Sequence, residues 1–175
     1  ADLIPKFRFS ADINLRLERI THLLDLLGNP QRDFAAIQIG GTSGQGSTAA
    51  MASAILTEAG YKTGLHTSPH LQILNERHLI NGQVAATSRL AALFEQMKPA
   101  IAQVAAEGDF GPPSYFEAQI ALAFYLFQQE AVEVAVVEVG LGGTLDATNV
   151  LEAEVAVLTN VGLDHTAILG DTIEA

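Results

Sequence analysis

With 175 residues, 49% of them hydrophobic, the chain has the size and apolar content of one packed domain, which favours a packed globule over a disordered segment. A formal net charge of -11 opposes nonspecific binding to nucleic acid or to an anionic membrane surface, so an anionic ligand must be held by backbone amides, a metal ion or a few arginines. Cysteine is absent, which excludes disulfides and thiolate metal sites, and no apolar run approaches the roughly 20 residues that cross a bilayer.

The start, Ala1-Asp2, has neither the basic nor the apolar region of a signal peptide, so the expectation is a soluble, cytoplasmic monomer with no nucleic-acid or membrane partner. Leu15, Leu17, Ile20, Leu23, Leu24 and Leu27 recur at helical spacing over residues 14–27, and Gly28-Asn29-Pro30 stops that amphipathic helix. Residues 35–39 form a short apolar strand that runs into the glycine-rich stretch 40–47 and then an alanine-rich helix over 48–59, ended by Gly60. Residues 62–66 read as a second strand, left through Thr67-Ser68-Pro69-His70 because proline removes an amide and restricts its neighbour. Asn81-Gly82 suits a tight primed turn between two short strands within 76–84.

A long helix follows over 87–106, then a surface loop at 108–113, then a helix over 114–130 whose broad apolar face must pack on a sheet. The valine-rich runs 132–139 and 153–159 have the composition of parallel strands buried on both faces. Helices alternating with such strands predict an α/β fold, a doubly wound and mostly parallel sheet flanked by helices.

A glycine loop between a strand and a helix brings successive backbone amides and a helix N-terminus together as a cradle for phosphate. The candidate nucleotide-binding residues are therefore Gly41, Thr42, Ser43, Gly44, Gln45, Gly46, Ser47 and Thr48. The general pattern places a lysine after the glycine to reach the β and γ phosphates, and Ser or Thr next to reach magnesium. Here the only lysines are Lys6, Lys62 and Lys98, and Gln45 stands in the loop, so a glycine-rich turn with no ligand stays open as an alternative.

Further motifs bear on that alternative. In order, Gly41-Thr42-x-Gly44-x-Gly46-Ser47, Thr67-Ser68-Pro69-His70-Leu71, Asn75-Glu76-Arg77, Glu138-Val139-Gly140-Leu141-Gly142-Gly143, Leu145-Asp146-Ala147-Thr148-Asn149 and Gly162-Leu163-Asp164-His165-Thr166 resemble the motif series of folylpolyglutamate and dihydrofolate synthases. These are a branch of the Mur ligase family, and the resemblance spans almost the whole chain. It implies a P-loop-containing fold and one central ATP-binding domain over residues 1–175, incomplete at its C-terminal end and without the family's C-terminal domain.

The implied activity is ATP-dependent: a carboxylate of a folate or dihydropteroate is phosphorylated, and the amine of glutamate then attacks the acyl phosphate. ATP and Mg2+ are the implied cofactors. Ser68, Glu138 and His165 match the family's metal ligands, and Ser114, Tyr115, Phe116 and Glu117 match a stretch that borders the substrate. Each has a plainer reading: Ser68 as a turn residue before Pro69, His165 as an ordinary hydrogen-bonding group, and Ser114 with Glu117 as a capping box. A carboxylate such as Glu138 at the end of a valine-rich strand is costly to bury unpaired, which favours its ligand reading. His66 and His70 lie nearby as structural or supporting groups.

Three catalytic positions are singled out by the resemblance: Gln45 where the family has lysine, Thr144 where it has arginine, and Asp146. Glutamine carries no charge, a charge-assisted bond to phosphate is about twice as strong as a neutral one, and threonine cannot imitate arginine's bidentate fork. Two cations are thus missing from one pocket, and Ser43 replaces a loop asparagine. The family's bridging lysine, which follows the segment resembling Gly170-Asp171-Thr172-Ile173-Glu174, is also absent. The expectation is a folate ligase in an impaired or incomplete form. The alternatives are a noncatalytic nucleotide- or folate-binding module, or a Mur-type ligase for another carboxylate.

Overall fold

The computed structural model describes residues 16–107 and 111–173. Helix α1 (Glu18–Leu26) buries Ile20, Leu23 and Leu24 and ends where Gly28 and Asn29 turn left-handed. Leu15, expected within this helix, lies outside the described residues, as do 108–110 of the expected loop and Glu174. Strand β1 (Ala35–Gly40) leads through the glycine loop into helix α2 (Gln45–Glu58). The sequence places that helix start at residue 48. In fact Gly44, at φ +80, makes the turn that only glycine adopts without strain, so the helix begins at once.

Strand β2 (Thr63–His66) follows, then β3 (His78–Ile80) and β4 (Gln83–Val84). Asn81 and Gly82 both have positive φ, 48° and 71°, as a primed hairpin turn requires. Helices α3 (Thr87–Glu107) and α4 (Tyr115–Gln129), strand β5 (Val134–Glu138), strand β6 (Val155–Leu158) and the short α5 (Thr166–Leu169) complete the described chain.

The six strands form one sheet in the order β4-β3-β2-β5-β1-β6. Strands β2, β5, β1 and β6 run parallel, and the β3–β4 hairpin adds antiparallel to β2. Alternation along the strands divides the core in two. Ala36, Ala135 and Val137 face the layer of α1, α3 and α4, with Phe124 and Phe127 fully buried there. Ile39, Leu65 and Val136 face α2 and pack on Ala49. Helices on both faces make this a doubly wound α/β sheet, as the sequence predicts.

Gly64 sits flat against Phe127: a Cβ there would lie 2.7 Å from the ring. One expectation fails. Of the two valine-rich runs, β5 is buried on both faces, whereas Val155 and Leu158 of β6 are 48% and 67% exposed, because β6 is the edge strand among the described residues. Among those residues no helix is long and apolar enough to cross a membrane.

Candidate active site

The parallel strands β1, β5 and β2 all deliver their C-terminal ends to one edge of the sheet, where open α/β sheets bind ligands. The glycine loop lies on that edge and is strapped to the segment after β6. Thr42 N donates to the Asn160 carbonyl (3.1 Å), Ser43 N donates to Asn160 Oδ1 (3.0 Å), and Asn160 Nδ2 donates to Ser43 Oγ (2.8 Å). Gly162 N donates to Thr42 Oγ1 (2.8 Å), and Thr159 Oγ1 donates to the Ser43 carbonyl (2.8 Å). Gly41, at φ +146, lies so close that a Cβ would overlap the Thr159 hydroxyl.

Past the strap, the first turn of α2 has no side-chain cap, so the amides of Gln45, Gly46 and Ser47 point outward as donors. Thr48 Oγ1 instead turns back to the Gly44 carbonyl (2.8 Å).

Residues 136 and 138 share the α2 side of β5, which places the Glu138 carboxylate against that same first turn. A Cβ on Gly46 would come within 3.1 Å of Glu138 Oε1, so only glycine leaves it full room. Glu138 is 4% exposed and accepts from Ser68 N at 2.7 Å. Burial raises its carboxyl above the usual range, against the opposing pull of the Ser68 amide, the Gln45 amide and the Arg77 guanidinium.

Gln45 is turned inward. Its Nε2 also donates to the Val139 carbonyl (3.3 Å), and its Oε1 is buried without a partner. Oxygen donors at Glu138 and Ser68, with a carboxylate whose burial no cation at salt-bridge distance offsets among the described residues, fit a magnesium ion. His165 does not join them here. It is left-handed at φ 50, with its side chain 44% exposed and 3.9 Å from the Asp164 carboxylate. Among the described residues no three His, Asp or Glu side chains converge as a metal site.

Asp146, 1% exposed, organises the next loop. Its Oδ2 accepts from Leu141 N (2.8 Å), and its Oδ1 accepts from Thr148 N (2.9 Å) and Thr148 Oγ1 (2.6 Å). Gln38 Nε2 completes that chain at Thr148 Oγ1 (2.9 Å). Thr144 is exposed on the loop's outer side, where its carbonyl accepts from Asn149 Nδ2 (2.9 Å).

The four residues at the start of α4 divide by role. Ser114 and Glu117 form the capping box, and Glu117 is further held by Arg19 Nε at 2.9 and 3.1 Å, a pair whose side chains are nearly buried. Phe116 lies over Gly140, leaving no room for a Cβ there, and Arg77 stacks 5.8 Å from the Tyr115 ring centroid. Arg77 Nε donates to His70 Nδ1 (2.9 Å). Glu76 accepts from the amides of Leu71, Ile73 and Gln72, and these bonds, Leu71's foremost, hold its carboxyl below the usual range.

Beneath Phe116 lies a directed chain of buried groups. His78 Nε2 donates to Gln119 Oε1 (3.0 Å), so its Nδ1 is the acceptor for His66 Nδ1–H (3.4 Å). That leaves His66 Nε2 a bare, buried lone pair. Burial, then the partner imidazole and Arg77, keep His66 well below the ordinary histidine value, and burial brings His78 to about 4.

Sequence reasoning missed Asn160, Gln38, His78 and Gln119. Asn160 had a usable signal: it is a polar residue at the C-terminal end of a parallel strand that adjoins the phosphate loop. The other three face inward and leave no local pattern.

Fold and edge geometry define an α/β unit of the P-loop type. No family model matches the sequence. It is 44% identical over 167 residues to the dihydrofolate synthase/folylpolyglutamate synthase of Mycobacterium tuberculosis, covering 92% of this chain and 34% of that one. Its fold superposes with a TM-score of 0.86 on the Mycobacterium tuberculosis folylpolyglutamate synthase complexed with ADP and AMPPCP, at 43% identity over 91% of this chain and 36% of that one. With Escherichia coli FolC in complex with DHPP and ADP the TM-score is 0.85, at 38% identity over 97% of this chain and 39% of that one. Over most of its length the chain is homologous to the N-terminal part of folylpolyglutamate and dihydrofolate synthases. It spans from about a fifth to under two fifths of the length of the curated relatives it matches.

Proposed function

We propose that the chain is part of a single ATP-binding domain of a ligase that joins L-glutamate to a folate or dihydropteroate. The observation that carries this reading is the uncapped first turn of α2 with the buried Glu138 carboxylate beside it. Amides there hold phosphate, and a substrate carboxylate oxygen attacks the γ phosphorus, releasing ADP. The glutamate amine then attacks the acyl carbon, the C–O bond to phosphate breaks, and inorganic phosphate leaves with the amide formed. Mg2+ at Glu138 and Ser68 would neutralise charge on the transferring group. Tyr115 and Phe116 border the substrate, and Asp146 shapes its loop. Complexes of relatives with ADP, AMPPCP and DHPP support the ligand classes.

Gln45 and Thr144 favour reduced turnover, and the inward hook of Gln45 on Val139 is the observation behind a second reading, a noncatalytic nucleotide-binding module. The test is ADP release by the chain and by a Gln45→Lys, Thr144→Arg variant, with pteroate or folate and glutamate supplied singly and together. The ligase reading expects sustained release, beyond one ADP per chain, only with both, faster in the variant. ADP release with a cell-wall carboxylate instead rejects the folate assignment. Mg·ATP binding with no release in either protein supports the noncatalytic module.

A further inference from the structure

We infer that this phosphate cradle does not distinguish a nucleoside triphosphate from a diphosphate: it holds Mg·ADP as firmly as Mg·ATP, gaining nothing from the third phosphate. The inference rests on the nucleotide-binding reading above. In the general loop pattern, backbone amides carry the inner phosphates, and the lysine ammonium is the group that reaches the outermost one. Here the two duties are separated. The amides of Gln45, Gly46 and Ser47 are uncapped and outward, so the backbone half is intact.

The side-chain half is spent internally. Gln45 Nε2 donates to the Val139 carbonyl at 3.3 Å and to the Glu138 carboxylate, while its Oε1 is buried without a partner, so the amide faces the sheet and offers the ligand no donor. No lysine or arginine stands in the loop or the first turn of α2. Arg77, the cation that Glu138 senses, is buried and committed to His70 and the Tyr115 face. Thr144 adds no charge. A third phosphate therefore brings one more negative charge towards Glu138 without meeting a fixed cation. A charge-assisted bond would have favoured it by about tenfold or more, and neutral donors give roughly half that free energy.

Isothermal titration of the chain with Mg2+ and either ADP or a methylene-bridged ATP analogue tests this. The expected Kd values agree within about threefold, and Gln45→Lys tightens the analogue by about tenfold more than ADP. A parent that prefers the analogue by more than about thirtyfold overturns the inference, as does a folded Gln45→Lys protein with an unchanged ratio. If that variant does not fold, the parent ratio alone decides. Silence with both nucleotides in both proteins overturns the nucleotide-binding reading itself.

Discussion

Replacing His78 with glutamine flattens the acid side of the stability profile. His78 is fully buried, donates to Gln119 and accepts from His66, and burial lowers its folded value to about 4 from 6.5. A depressed histidine binds its proton more readily in the unfolded chain. Its contribution to stability is therefore complete above about pH 6.5 and lost as pH falls from there towards about 4. At about pH 5 the linkage relation gives a loss of about 2 kcal/mol from His78 alone, and His66, shifted in the same direction, adds to it. Urea unfolding at about pH 7.5 and about pH 5, in parent and His78→Gln, isolates this from the carboxylates, which titrate in both. The variant should lose about 2 kcal/mol less over that interval, whatever its absolute stability. Equal losses in the two proteins would show that His78 is not buried neutral, and the directed chain would fall with it.

Asn160→Ala removes both side-chain bonds to Ser43 and leaves the Thr42 amide on the backbone carbonyl. Because the site is exposed, the expected cost is about 1 kcal/mol, read as roughly fivefold weaker Mg·ADP binding, and an unchanged Kd contradicts the strap. Gly64→Ala drives a methyl into the Phe127 ring and should lower stability by about 1–3 kcal/mol in thermal unfolding. Asp146→Ala strands the Leu141 and Thr148 donors, with an expected loss of about 3 kcal/mol and faster amide exchange at Leu141 and Thr148. Protection equal to the parent's at Leu141 and Thr148 speaks against that role.

The architecture was legible because its signals are local. A continuous valine-rich run gives β5, Asn81-Gly82 gives the hairpin, and Gly28 and Gly60 end their helices. The start of α2 was misplaced because Gln45, Gly46 and Ser47 read as loop residues, whereas one left-handed glycine suffices to open the helix. The place of the glycine loop between β1 and α2, and of Glu138 at the end of β5, was legible from motif and position. The capping box of Ser114 and Glu117 was legible too, but Glu117's second partner Arg19, 98 residues away, was not, because packing chooses it. The same holds for His78 and Gln119, 41 residues apart, and for Asn160, which reaches Ser43 across 117 residues. His165 was grouped with Ser68 and Glu138 because its motif position matches a metal ligand of the family, and in the described geometry it lies beside Asp164.

The central claim, a phosphate cradle at the start of α2, is tested most directly by amide NMR of the chain titrated with Mg·ADP. The account predicts the largest and saturable shifts at the Gln45, Gly46 and Ser47 amides, with smaller ones at Ser68 and Asn160. Saturable shifts confined to other parts of the chain, with those three amides unmoved, would contradict it.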